Sequence, residues 1–195
     1  MDNKLERHKL YVPLNDGIDH INTYSRGHTD LGKCLSNFYN YKFKMEDKEF
    51  HSVEAYWYYK VFVELRKIDE VSVLFDFDVV FNTIIKTYSA PKLKNYCRKI
   101  IDTHKLNPKV IIITSSDSFK NSILLAVRYK IVNDPLTNEL FFKNANLNEP
   151  LRYTHYYYYG KIDNCRVIQV EDYYWSSDYL DELTKSIKVH NATKK

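Results

Sequence analysis

Apolar positions in this chain recur mostly at three- and four-residue spacing, and only short stretches alternate. The strongest pattern starts after Ser52, a good helix N-cap. From Glu54, positions i+3, i+4 and i+7 are Trp57, Tyr58 and Val61, on one face. Tyr56, Tyr59 and Phe62 cover other faces, so the spacing predicts a helix to about Ile68 that is apolar nearly all round and therefore buried. A carboxylate on such a helix must find a partner or shift its pKa upward. Leading into it are a Ser36-Asn37 turn, Phe38, an alternating run Tyr41–Lys44, a polar bend Glu46-Asp47-Lys48 and a second short run Glu49–His51.

The rest follows the same mixed pattern. Ile21–Tyr24 predicts a short strand, and Ser25–Lys33 a loop holding Gly27, Asp30 and Gly32. Residues 69–103 predict two or three short helices. Asp76 and Asp78 interrupt the apolar run Val71–Phe81, and Pro91 opens a basic amphipathic helix, Lys92–Ile101. Val110–Ile113, between Pro108 and Ser115-Ser116, reads as a short buried strand, with a helix left open by so few residues. Asp117 or Ser118 caps a helix from Phe119 to about Val132, and Pro135 starts another through Phe142. Arg152–Tyr159 reads as a strand ended by Gly160 and paired in a hairpin with Cys165–Val170; Asp178–Lys188 reads as an amphipathic helix. Residues 1–19 and 189–195 read as tails. The fold class is α+β, mainly helical, with a few short strands in a single compact domain over residues 20–188.

Composition narrows the functions. The chain has 18 Tyr, 10 Phe and 2 Trp but only 4 Gly, and no glycine-rich phosphate loop, which argues against Walker and Rossmann sites. A net charge of +4 is mild and suits an anionic ligand. Cys34, Cys97 and Cys165 lack CxxC spacing, and the seven histidines lack HxxxH pairing, so neither a disulfide framework nor a metal site is expected. No run of about 20 apolar residues is present, so neither a membrane partner nor a signal segment is expected, and a reducing cytoplasm is the expected compartment. The Lys, Asn, Ile and Tyr excess fits an A/T-rich, for example viral, genome; the host cytoplasm would then be the setting.

Several blocks together resemble a known family. Leu35-Ser36-Asn37-Phe38 followed by Ser52-x-Glu54-x-Tyr56-x-x-x-Lys60 is similar to the NADAR superfamily of YbiA-like N-glycosidases. The six-residue spacing of Glu54 and Lys60 is that of the family. Tyr24-Ser25, Ala126–Ile131 with Asn133, and Asp172-Tyr173-Tyr174-Trp175 resemble its further blocks in the same order. The chain departs from the pattern after Trp175, where Ser176-Ser177-Asp178 replaces a glycine-led motif, and in the tyrosine-rich segment Leu151–Val170.

The resemblance implies a NADAR-like fold, no cofactor, and cleavage of an N-glycosidic bond between a ribose and a base or amine. The expected partners are an ADP-ribosyl or ribosyl-phosphate substrate, with DNA or RNA carrying ADP-ribose as the favoured form. Early riboflavin-pathway ribosylaminopyrimidine phosphates are an alternative, as is a non-catalytic ADP-ribose, NAD or nucleic-acid binding module. A protein whose tyrosine surface docks a partner is the plainest reading. Such chemistry needs a carboxylate to stabilise the ribosyl cation and an acid for the leaving nitrogen, or a lysine amine to capture the opened sugar. Glu54 is the expected carboxylate, Lys60 the amine or electrostatic partner, and Asp172 a second carboxylate. Tyr24, Asn37, Phe38, Tyr56 and Trp175 are expected to line the ribose and base, and Arg128 and Lys130 to meet phosphate. Six residues of helix put Lys60 about 120° from Glu54, so the two meet only if the lysine stem bends back.

Overall fold

The computed structural model describes residues 11–161, 165–170 and 174–192. The protein is a mainly helical α+β molecule, with nine α-helices and three two-stranded sheets among the described residues. It comprises two compact units, 37–134 and 1–36 together with 135–195.

The unit 37–134 is built around one helix. Strands β2 (Phe43–Met45) and β3 (Lys48–Phe50) form an antiparallel hairpin that leads into α2 (Val53–Arg66). Helices α3 (Asp69–Ser72), α4 (Phe77–Lys86), α5 (Ala90–Thr103), α6 (Asn107–Ser115) and α7 (Asp117–Asn133) follow, and each packs on α2. The expected all-round burial of α2 is present: Ala55, Tyr56, Tyr58, Tyr59, Val61, Phe62 and Leu65 are all buried. Phe50 meets Tyr56 and Tyr59 edge-on or tilted, with ring centroids 5.2 Å apart in each pair, so part of the aromatic excess builds this core. Ser52 caps α2 by accepting a hydrogen bond from the Ala55 N–H at 3.1 Å. Asp76 caps α4 in the same manner, which explains why it interrupts the apolar run.

Two expectations in this unit are corrected. Val110–Ile113 is helical, inside α6, and is not a buried strand: Ile111 and Ile112 are 65% and 73% exposed, and only Val110 and Ile113, three apart, are half-buried. Pro108 sits in the first turn of α6, where its missing N–H costs nothing and its fixed φ favours a helix. The cap of α7 is Ser116, whose hydroxyl accepts from Phe119 N–H at 3.3 Å; Asp117 is already the first helical residue.

In the other unit, β1 (His20–Asn22) pairs in parallel with β4 (Arg152–Thr154). β5 (Tyr156–Tyr159) pairs with β6 (Arg166–Gln169) as the expected hairpin, but the predicted strand 152–159 breaks at His155 and its two halves join different sheets. Helices α1 (Asp30–Leu35), α8 (Pro135–Ala145) and α9 (Tyr174–Ala192) complete it. The predicted loop 25–33 ends earlier than expected, because Thr29 caps α1 by accepting from Gly32 N–H. Gly32 is fixed by close packing: a Cβ there would lie 2.2 Å from the Asn22 carbonyl oxygen. The buried Asp16 carboxylate orders the preceding turn, accepting from the N–H groups of Asn22 at 2.9 Å and His28 at 2.7 Å. α9 begins four residues before the predicted Asp178 and so takes in Trp175. No single helix among the described residues is long and apolar enough to cross a membrane.

These placements predict that Ser52→Ala lowers stability by about 1 kcal/mol through loss of the cap. Ile112→Lys is expected to change it by less than about 0.5 kcal/mol, because the side chain faces water. Chemical denaturation of both variants checks this; a large loss in Ile112→Lys would put that residue in a core.

Candidate functional site

Glu54 stands in the first turn of α2, and the preceding turn is tied to it. The Asn37 carbonyl accepts the Glu54 N–H at 2.9 Å, so the backbone of the turn at Asn37 docks on the helix start. The Glu54 side chain is 8% exposed. No side chain among the described residues hydrogen-bonds or ion-pairs with its carboxylate at contact distance. Its electrostatic neighbours are Lys94 and Arg98, one turn apart on α5. Burial raises the Glu54 pKa to about 7, with Lys94 and then Arg98 pulling against it. Both protonation states are therefore populated at neutral pH.

The surroundings of Glu54 are two weak acids and an aromatic. Tyr58, one turn along α2, is held protonated by burial and by the Glu54 charge, with the Arg98 charge acting in the opposite direction. Cys97, on the buried stripe of α5, is likewise held as the thiol by burial and then by Glu54. The Lys94 ammonium lies 5.1 Å from the ring centre of half-buried Phe38, a cation–π contact that fixes the lysine beside the site. Phe38, Glu54, Tyr58, Lys94, Cys97 and Arg98 thus share one region: an unpaired carboxylate with a basic rim. Sequence reasoning placed Lys94 and Arg98 on a basic helix but not beside Glu54. The available signal was their i, i+4 spacing directly beside the apolar positions Leu93, Cys97 and Ile101.

Lys60 and Tyr56 do not join this group. They lie one turn apart on a different side of α2 and converge on Glu46. The Tyr56 hydroxyl and the Lys60 ammonium each donate to the same Glu46 oxygen at 2.9 Å. Burial would raise the Glu46 pKa, but these two hydrogen bonds together with the Lys60 and Lys48 charges outweigh it and hold the group below the usual carboxylate range. Glu46 and Asp47 form the tip of the β2–β3 hairpin with φ of 49° and 60°, a left-handed pair that glycine or asparagine would adopt more easily. The Glu46–Lys60 pair holds that turn against the helix.

The remaining expected site residues lie on other elements. Lys130 is 1% exposed, with its ammonium 5.9 Å from the Tyr39 ring centre, whereas Arg128 is exposed. Two positions on a helix are about 200° apart, so the two cations point in different directions and do not form one phosphate cradle. His51 is buried against Tyr88, ring centroids 3.9 Å apart, and burial followed by Lys42 lowers its pKa, keeping it neutral. In the other unit, Tyr24 packs edge-on against Tyr157 with centroids 5.1 Å apart, and Trp175 is half-buried in the first turn of α9. Asp172 lies outside the described residues.

No protein-family model, curated protein or solved structure matches this chain.

The raised pKa of Glu54 makes it a net cost to folding once ionised. Its folded value, about 7, exceeds the ordinary 4.5. The protonated form is therefore favoured in the folded state, and stability falls as pH rises from near 4.5 through about 7. Glu54→Gln is expected to be more stable than wild type at pH 8, by roughly 3 kcal/mol at most, and nearly equal to it at pH 4. Thermal melts at the two pH values test this; a variant less stable at pH 8 would mean that Glu54 is a satisfied structural carboxylate.

Proposed function

We propose that the protein is an N-glycosidase of the NADAR type that uses Glu54 to hydrolyse the bond between a ribose C1′ and a base nitrogen. The substrate class we favour is an ADP-ribosyl group on a base, guanine in nucleic acid being the leading form. The observation that carries this reading is the buried Glu54 carboxylate, free of hydrogen-bonding side chains among the described residues and poised near pKa 7 behind Lys94 and Arg98. A group so poised can act twice in one turnover. Protonated, it gives its proton to the leaving nitrogen as the C1′–N bond breaks. The resulting carboxylate stabilises the ribosyl cation and then takes a proton from the water that forms the C1′–O bond. One water is consumed and Glu54 ends as it began.

Lys94 and Arg98 supply positive charge where a substrate phosphate would sit, and Phe38 offers a half-buried ring for a base or ribose. The spacing of the Ser36-Asn37-Phe38 turn and the Ser52-x-Glu54 helix start supports the same reading, since the Asn37–Glu54 backbone bond brings those two motifs together. Lys60 is engaged by Glu46, so the proposed route places it outside the reacting groups and runs without a Schiff base.

The test is base release from an oligonucleotide carrying ADP-ribosylated guanine, with a ribosylaminopyrimidine phosphate as second substrate. Wild type is expected to release the base from the first, with kcat falling as pH rises through about 7, where Glu54 loses its proton. Glu54→Gln should lower kcat at least about 100-fold, and borohydride should trap no adduct. Turnover of the second substrate alone would move the assignment to free nucleotides. No turnover on either, with ADP-ribose still bound, would leave a binding module in place of the enzyme.

A further inference from the structure

Between Asp78 and Asp102 the chain has no acidic residue, yet it carries Lys86, Lys92, Lys94, Arg98 and Lys99. Helix α5 sorts four of these by angle. Ala90, Leu93, Cys97 and Ile101 form its buried stripe. At about 100° per residue, Lys94 and Arg98 flank that stripe, while Lys92, Asn95 and Lys99 point away from it. The latter three are all exposed.

These cations also differ from several others in their unit in holding no carboxylate at contact distance. Lys42, Lys60, Arg66, Lys67 and Lys109 each hold a carboxylate at 2.7–3.1 Å. None of the five between residues 86 and 99 has an ion pair among the described residues. An uncompensated positive surface of this kind attracts a polyanion. No large apolar side chain of α5 is exposed, which leaves the face without the hydrophobic wedge that an interfacial membrane helix uses.

Beside the start of α5 stands an aromatic that water touches. Tyr88 is 67% exposed, and its ring rests on the buried His51 ring at 3.9 Å between centroids. A ring backed on one side and open to solvent offers a flat surface for an unpaired base. Lys92 and Lys99 are separated by about 10 Å along the helix. That is farther than one phosphate group reaches, so a ligand engaging both carries phosphates in series.

We propose that the outward face of α5, with Lys86 and Tyr88, docks single-stranded nucleic acid. Lys86, Lys92 and Lys99 meet successive phosphates, Tyr88 stacks one base, and Lys94 with Arg98 stands at the step from this surface to Glu54. The surface deepens the Glu54 reading, because it names what presents the ribose. Its test reads binding without turnover, so the two ideas fail separately.

Fluorescence anisotropy of a labelled thymidine oligomer against the full chain, from low to moderate salt, is the experiment. Binding is expected to weaken with salt at a log–log slope near −2, about −0.7 per phosphate contact for three contacts. The double variant Lys92→Gln/Lys99→Gln should bind more weakly and flatten the slope by about 1.4. Tyr88→Ala should weaken binding roughly tenfold at unchanged slope, and Tyr88→Phe should restore it. Lys67→Gln, which removes a paired cation elsewhere, should alter neither quantity. Absence of binding at low salt, an unchanged slope in the double variant, or equal affinity for an acidic polypeptide of the same charge would each overturn the proposal.

Discussion

Helix α2 has almost no side that water touches, and most of the unit 37–134 follows from that. A helix apolar on nearly every face cannot lie on a surface. The β2–β3 hairpin and helices α3 to α7 all pack against it. The same enclosure dictates what happens to the polar groups the helix carries. Lys60 escapes by reaching Glu46 at the hairpin tip. Glu54 sits in the first turn, where its N–H is satisfied by Asn37 but its carboxylate is not satisfied by any described side chain.

Two glutamates a few residues apart thus meet opposite fates. Glu46 accepts two hydrogen bonds on one oxygen and is held ionised. Glu54 meets only the more distant charges of Lys94 and Arg98, and burial prevails. Hydrogen bonding to the charged form and desolvation are separate influences on acidity, and here one α-helix with its hairpin displays each in turn. A carboxyl left between its two states is suited to moving protons; one locked as an anion is suited to holding a turn.

Much of this was legible in the sequence because it is local. The Ser52 cap, the length of α2, the hairpin before it, and α5, α7 and α8 follow from capping residues, prolines and three-to-four spacing. Glu54 stood out because a charge on an all-apolar helix is conspicuous. What the sequence could not settle was direction. The run Val110–Ile113 is as apolar as a buried strand, and only packing decides that Ile111 and Ile112 face water. Lys60 has the spacing of the NADAR motif, yet its angle around α2 sends it to Glu46. Lys94 joins Glu54 only because α5 packs on α2, a contact between residues far apart in the chain. The break at His155 arises because β4 and β5 find different partner strands.

The unit containing Glu54 is one continuous segment, whereas the other is assembled from both ends of the chain. In that second unit, β1 pairs with β4 across more than a hundred residues of intervening sequence. Closing so long a loop is entropically costly and slow compared with joining neighbours. On a ribosome, residues 37–134 can emerge and fold while β1 and α1 still wait for β4 and α8. The unit with Glu54 is therefore expected to mature first, and the unit formed from the flanking segments of chain to close last.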